Sequence, residues 1–153
     1  MIKNDDEFES LLSKRNSGKV TYGIELKNNI EKGSILEAFL KRMGHIADKL
    51  EGNWRMVDKD YAKKILIYVL SKDMTHDIDL KTKPMADELS EYFLDQFQKD
   101  AIFYTNARFD SKSGYFKLYS WTTITNSHWH TFDTGIVAVD KINIGILWAT
   151  DPL

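Results

Sequence analysis

Cysteine is absent from the 153 residues, which removes disulfides, thiolate zinc sites and cysteine nucleophiles together. Proline occurs only twice, and the eight glycines are scattered. None of them falls in a G-x-G-x-x-G or P-loop spacing, and no serine sits in a nucleophile elbow. Dinucleotide, ATP and serine-hydrolase chemistry therefore have no motif to stand on. The longest apolar run, Ile65 to Leu70, is too short to span a bilayer. The stretch "MIKNDDEFES" is acidic from its fifth residue and lacks the apolar segment of a secretory signal. A net charge of −2 gives no global attraction for nucleic acid or an anionic membrane. The expectation is a single globular domain over residues 1–153, cytoplasmic, with no cofactor.

With 42% hydrophobic and 29% charged residues, the chain has enough apolar material for a core. Asn4 and Glu7 have capping-box spacing ahead of Phe8, Leu11 and Leu12, which predicts a helix from Asp5 to about Lys14. Val20, Tyr22, Ile24 and Leu26 alternate as a half-buried strand does. Ser34 and Glu37 repeat the capping spacing before a wide apolar stripe that runs to Leu50. A third helix is expected from Asp58 through "YAKKILIYVLSK", with a strand as the alternative for its β-branched second half. Pro84 suits the first turn of a fourth helix bearing Met85, Leu89, Tyr92, Phe93 and Phe97 on one face.

From Ala101 the pattern changes to period 2. Phe103, Thr105, Ala107 and Phe109 share one face of a strand, "DSKSG" makes a hairpin, and Phe116, Leu118, Ser120, Thr122 and Ile124 share a face of the next. "TFDTGIVAVD" and "INIGILWATD" supply two more strands around a turn at Asp140-Lys141. Helices followed by strands predict an α+β domain, with N-terminal helices on one face of a C-terminal antiparallel meander of about four strands. The early strand near 20–26 is expected at the sheet edge.

Four patterns are candidates for function. His128 and His130 in "SHWHTF" lie two apart, so on a strand both point to one face and are able to share a metal ion. A metal-dependent hydrolase or nuclease is the enzyme alternative that this pair supports, but a third ligand is missing. Asp133 has the wrong parity, and His45 and His76 are remote in sequence. "GIELK" contains Glu25-x-Lys27, half of a metal-nuclease signature whose second carboxylate has no upstream counterpart on a strand.

The third pattern is charge. Residues 73–100 hold eight acids and three bases, a balance of −5, and Asp87, Glu91 and Asp95 follow i, i+4, i+8 with Glu88 beside them. Such a strip is either an ordinary solvated face or a surface for a basic partner. The fourth is a row of Tyr115, Tyr119 and Trp121 facing away from Phe116 and Leu118. It is either covered by a helix or available as anchors for a partner. It lacks the interleaved lysines and arginines that stacking of single-stranded nucleic acid requires.

With each catalytic pattern incomplete, the residues favour a protein-binding module over an enzyme. A small-ligand cavity between helices and sheet is a third possibility. In its size, lack of cysteine, acidic helix and helix-then-meander order, the chain resembles the immunity proteins with which bacteria neutralise toxin domains, such as those of contact-dependent growth inhibition. The resemblance is one of general character and transfers no residue. It implies a protein partner; the residues expected to meet it, from the acidic strip and the aromatic row, are Asp87, Glu88, Glu91 and Asp95 against a basic surface and Tyr115, Tyr119 and Trp121 as anchors.

Overall fold

The computed structural model describes residues 1–27, 35–44, 54–110, 112, 115–118 and 132–151, with the backbone alone at 35 and 115–118. Local signals set the helices. Asn4 Oδ1 accepts the Glu7 amide at 2.9 Å and starts α1, Asp5–Leu12. Asp58 does the same for Tyr61 at 2.8 Å and starts α3, Lys59–Ser71. Helix wins over strand in α3 because Ala62, Ile65, Leu66, Val69 and Leu70 are all buried, a spacing that only a 3.6-residue period brings to one side. Pro84 lies in a 3₁₀ turn, Lys83–Met85, and α4 follows at Ala86–Leu94. The remaining helix, α2, is Ile35–Arg42, and Gly44 beyond it adopts a left-handed φ of 83°. The rest of the stripe expected to Leu50 lies outside the described residues.

The strands are β1 (Lys19–Leu26), β2 (Arg55–Val57), β3 (Ile102–Thr105), β4 (Ala107–Asp110), β5 (Tyr115–Leu118), β6 (Phe132–Val139) and β7 (Asn143–Asp151). Five of them form an antiparallel sheet in the order β1-β7-β6-β3-β2. The early strand stands at one edge, as its position in the chain led us to expect. The other edge, β2, is only three residues long with Arg55 and Met56 exposed, too short to show an alternation. The turn between β6 and β7 is held by Asp140, whose carboxylate accepts the amides of Ile142, Asn143 and Gln98 at 2.7–2.9 Å. Burial pushes this carboxyl up, but the three amides together outweigh it and hold it below the usual 3.8.

The period-2 run from Phe103 to Phe109 does not form one strand. It breaks at Asn106, and β4 pairs with β5 as a separate two-stranded hairpin. Beyond Tyr104 the ladder to β6 is replaced by side chains. Thr105 Oγ1 donates to the Gly135 carbonyl at 2.8 Å, and Asn106 Nδ2 to the Asp133 carbonyl at 2.9 Å. A short polar pair thus closes the fork where β3 leaves the sheet. Glycine is required at 135, since a Cβ there would meet the Leu147 carbonyl and the Trp148 Cα.

Alternate residues of each strand serve two layers. On one face Val20, Tyr22, Phe103, Ile136, Ala138 and Leu147 pack under α1, α3 and α4. On the other, Val137, Ile144, Ile146 and Trp148 pack with Phe39 and Leu40 of α2. The α+β class holds, and three of the four helices share a face as expected. The exception is α2, which covers the opposite face because β6 and β7 are apolar at nearly every position.

One buried ion pair joins the ends of these elements. The Arg15 and Asp151 side chains have no exposure, and their atoms meet in a two-pronged contact of 2.6 and 2.7 Å. Arg15 also donates to the carbonyls of Val69 and Ser17 at 3.0 and 2.7 Å, while Asp151 accepts the Met74 amide at 2.8 Å. Every prong is therefore satisfied. Replacing Arg15 by Met, or Asp151 by Asn, strands the other partner in the interior and is expected to cost about 3–5 kcal/mol in urea unfolding. The double replacement R15M/D151L should lose less than the two single losses added together, because it leaves no buried charge.

Candidate partner-binding surface

Helix α4 buries Leu89, Ser90, Phe93 and Leu94 and turns Asp87, Glu88 and Glu91 outward, with Asp95 at its C-cap. Like charges at i, i+4 repel, so this helix needs compensation from elsewhere. Lysines on the adjacent α3 supply it. Lys63 Nζ lies 2.6 Å from Glu91 and 3.1 Å from Asp87, and Lys59 Nζ lies 2.7 Å from Asp95. Hydrogen bonds to Glu91 and then Asp87 raise the Lys63 pKa, so its positive charge persists well into alkaline solution. The expected acidic strip is thus partly neutralised. Its carboxylates nevertheless remain 54–67% exposed, and three acids face two lysines.

Glu88, Glu91, Asp95, Tyr92 and Gln96 line an open concavity of about 380 Å³, bordered by Met1 and Ile2. The terminal ammonium of Met1 lies 3.8 Å from Glu88. Tyr92 and Gln96 are held from behind. Tyr92 donates its hydroxyl to Asp5 at 2.7 Å, and Gln96 donates to the Tyr22 hydroxyl at 3.1 Å, which in turn is 3.3 Å from Asp5. The hydrogen bond to Asp5, with added desolvation, pushes the Tyr92 pKa up to about 12. Burial, reinforced by Asp5 and Tyr92 against the donation from Gln96, pushes Tyr22 up to about 12. Both rings are neutral across the physiological range. Three carboxylates thus stand beside an aromatic and an aliphatic wall, and each meets a cation of the chain: Glu88 the Met1 ammonium, Glu91 Lys63 and Asp95 Lys59.

Sequence reasoning found Asp87, Glu88, Glu91 and Asp95 but missed Ile2, Tyr92 and Gln96. The i, i+4 pair Lys59 and Lys63 was visible in "KDYAK", yet nothing local says which helix it will face. The aromatic row fares differently. Tyr115 lies on β5 opposite Asp110, in the separate hairpin rather than on the main sheet, and Tyr119 and Trp121 lie outside the described residues. The expected outward face of a continuous sheet strand is therefore replaced, at Tyr115, by a position on the hairpin.

His45, His128 and His130 also lie outside the described residues. His76 is exposed, with Nδ1 3.4 Å from the Asp73 carboxylate, which also accepts the Ser17 hydroxyl at 2.5 Å. Among the described residues no three histidine or carboxylate side chains are grouped to hold a metal ion. Glu25 and Lys27 diverge: Glu25 pairs with Arg42 at 3.1 Å, and Lys27 Nζ donates to the Asp140 carbonyl at 2.8 Å. The wholly buried Asp133 accepts the Trp148 indole N–H at 3.1 Å, which accounts for an aspartate inside an apolar strand.

The tyrosine pair yields an alkaline prediction. Because the folded pKa of Tyr92 lies above the ordinary 10.0, its stabilising contribution is complete below pH 10 and is lost as the pH rises through about 12. Ultraviolet difference titration should show phenolate appearing late in the native chain. In Asp5→Asn, which removes the charge and weakens the bond, Tyr92 should ionise closer to 10 and the decline in stability over that window should shrink.

In comparisons with protein-family models, with curated proteins and with solved structures, nothing matches the chain, so the reading of this surface rests on its own geometry.

Proposed function

We propose that the chain acts by binding rather than by catalysis, as a small cytoplasmic module of the toxin-immunity kind that occupies a basic surface of a protein partner. The observation that supports this reading is the acidic concavity beside α4, where Glu88, Glu91 and Asp95 stand over Tyr92 and Ile2. Together with Asp87 these make four carboxylates met by three cations, Lys59, Lys63 and the Met1 ammonium, which leaves one negative charge in excess. An arginine or lysine of the partner would complete that balance, its stem against the apolar wall and its head among the carboxylates. A nuclease toxin domain, whose substrate groove is basic, has the matching charge. Asp87 contributes from further along the strip.

The test uses the protein encoded in an adjacent reading frame, if it carries a toxin domain, and calorimetry over a series of salt concentrations. Neutralising the concavity with E88Q/E91Q/D95N should weaken binding by about tenfold or more and flatten its salt dependence. It should also remove protection when toxin and binder are expressed together. Unchanged affinity with unchanged salt dependence would sink the assignment of this surface.

A further inference from the structure

We propose that the chain forms a symmetric dimer through the open edge of β1, whose Lys19–Leu26 pairs antiparallel with the same strand of a second copy to make a ten-stranded sheet. The outer edge of β1 has no pairing strand among the described residues. Lys27 N–H donates to the Ile142 carbonyl, and the register pairs Glu25 with Ile144 and Gly23 with Ile146. Antiparallel ladders bond alternate residues, so the odd-numbered residues of β1 bond to β7. The N–H and C=O groups of Val20, Tyr22, Ile24 and Leu26 therefore point outward, and no hydrogen bond engages them among the described residues. A strand of eight residues with an unpaired edge is a template for another strand.

The side chains choose the occupant and the register. Pairing of two copies requires outward residues to meet outward residues, which leaves two central registers. One sets Lys19 against Lys27 of the second copy, twice, and is opposed by charge. The other is centred on Tyr22 facing Tyr22. It pairs Val20 with Ile24, Thr21 with Gly23 and Lys19 with Glu25, each twice by symmetry. Lys19 is exposed with no ion pair among the described residues, and here it meets the Glu25 carboxylate, which Arg42 holds at 3.1 Å, instead of a second lysine. The charges are complementary only in this register.

The edge is also shaped for an added strand. Between α1 and β1 lies an open concavity of about 350 Å³ lined by Leu12, Val20 and Tyr22 on its apolar side. A residue placed opposite Val20 projects to the same face as Val20. In the chosen register that residue is Ile24 of the second copy, an aliphatic group set against the apolar side of the recess. A second copy therefore supplies backbone partners, an apolar contact and opposite charge at once.

Sedimentation equilibrium of the full chain tests this. A concentration-dependent dimer is expected, dissociating more readily as salt rises. Val20→Pro removes one outward N–H and leaves the β7 ladder intact, so it should be monomeric while keeping the native circular dichroism. Lys19→Glu, at an exposed position, should raise the dimer dissociation constant about tenfold and reverse its salt dependence. A native chain that stays monomeric at ~100 µM would overturn the proposal, since dimers weaker than that have little consequence. So would a folded Val20→Pro variant that dimerises as tightly as the native chain, or a Lys19→Glu variant with unchanged affinity and salt response.

Discussion

A guanidinium and a carboxylate, both without solvent contact, meet where the loop after α1, the end of α3, the loop at 73–75 and the last residue of β7 converge. Removing two charges from water costs several kcal/mol per ion, and attraction offsets that cost only when geometry is good and the remaining donors and acceptors are used. Here the planar fork of Arg15 grips both oxygens of Asp151, and its other N–H groups reach backbone carbonyls. Several kcal/mol thus depend on four segments arriving together. A misplacement of any one leaves a buried charge unpaired, so the pair acts more as a condition on the arrangement than as a simple source of stability.

The consequences reach the surface beside α4. With its C-terminal loop pinned by Arg15, α1 lies across α4 and β1, where Phe8 stacks on Tyr92 at 4.8 Å and meets the edge of Tyr22 at 4.7 Å. Asp5 then sits within reach of both hydroxyls, and Met1 and Ile2 close one side of the acidic concavity. The lysines of α3 relieve repulsion between stacked carboxylates of α4. Two helices that individually carry awkward charge patterns are thus brought together with opposite charges in contact.

Much of the architecture is visible in local sequence. Asn4 and Asp58 announce helix starts because a short side-chain oxygen satisfies an amide that a helix leaves unbonded. Asp140 marks the β6–β7 turn for a similar reason. Period 2 located β1, and the two apolar runs on either side of Asp140-Lys141 located β6 and β7. Period 2 misread the run from Phe103 to Phe109 as one strand, because alternation continues across Asn106 while the hydrogen bonds change partners. β2 escaped notice because three residues cannot display a period.

The candidate surface divides in the same way. The residues of the acidic strip follow from helical spacing alone, since 3.6 residues per turn brings Asp87, Glu91 and Asp95 to one side whatever the rest of the chain does. That Lys59 and Lys63 face them, that Tyr92 and Ile2 complete a concavity, and that α2 covers the second face of the sheet were decided only by the tertiary structure. So was the pairing of Arg15 with Asp151, which stand 136 residues apart. Caps, turns and periodicities are short-range effects of a few residues on their own backbone. The choice of partner is a long-range effect, set by which faces bury together and by the geometry that buried charges require.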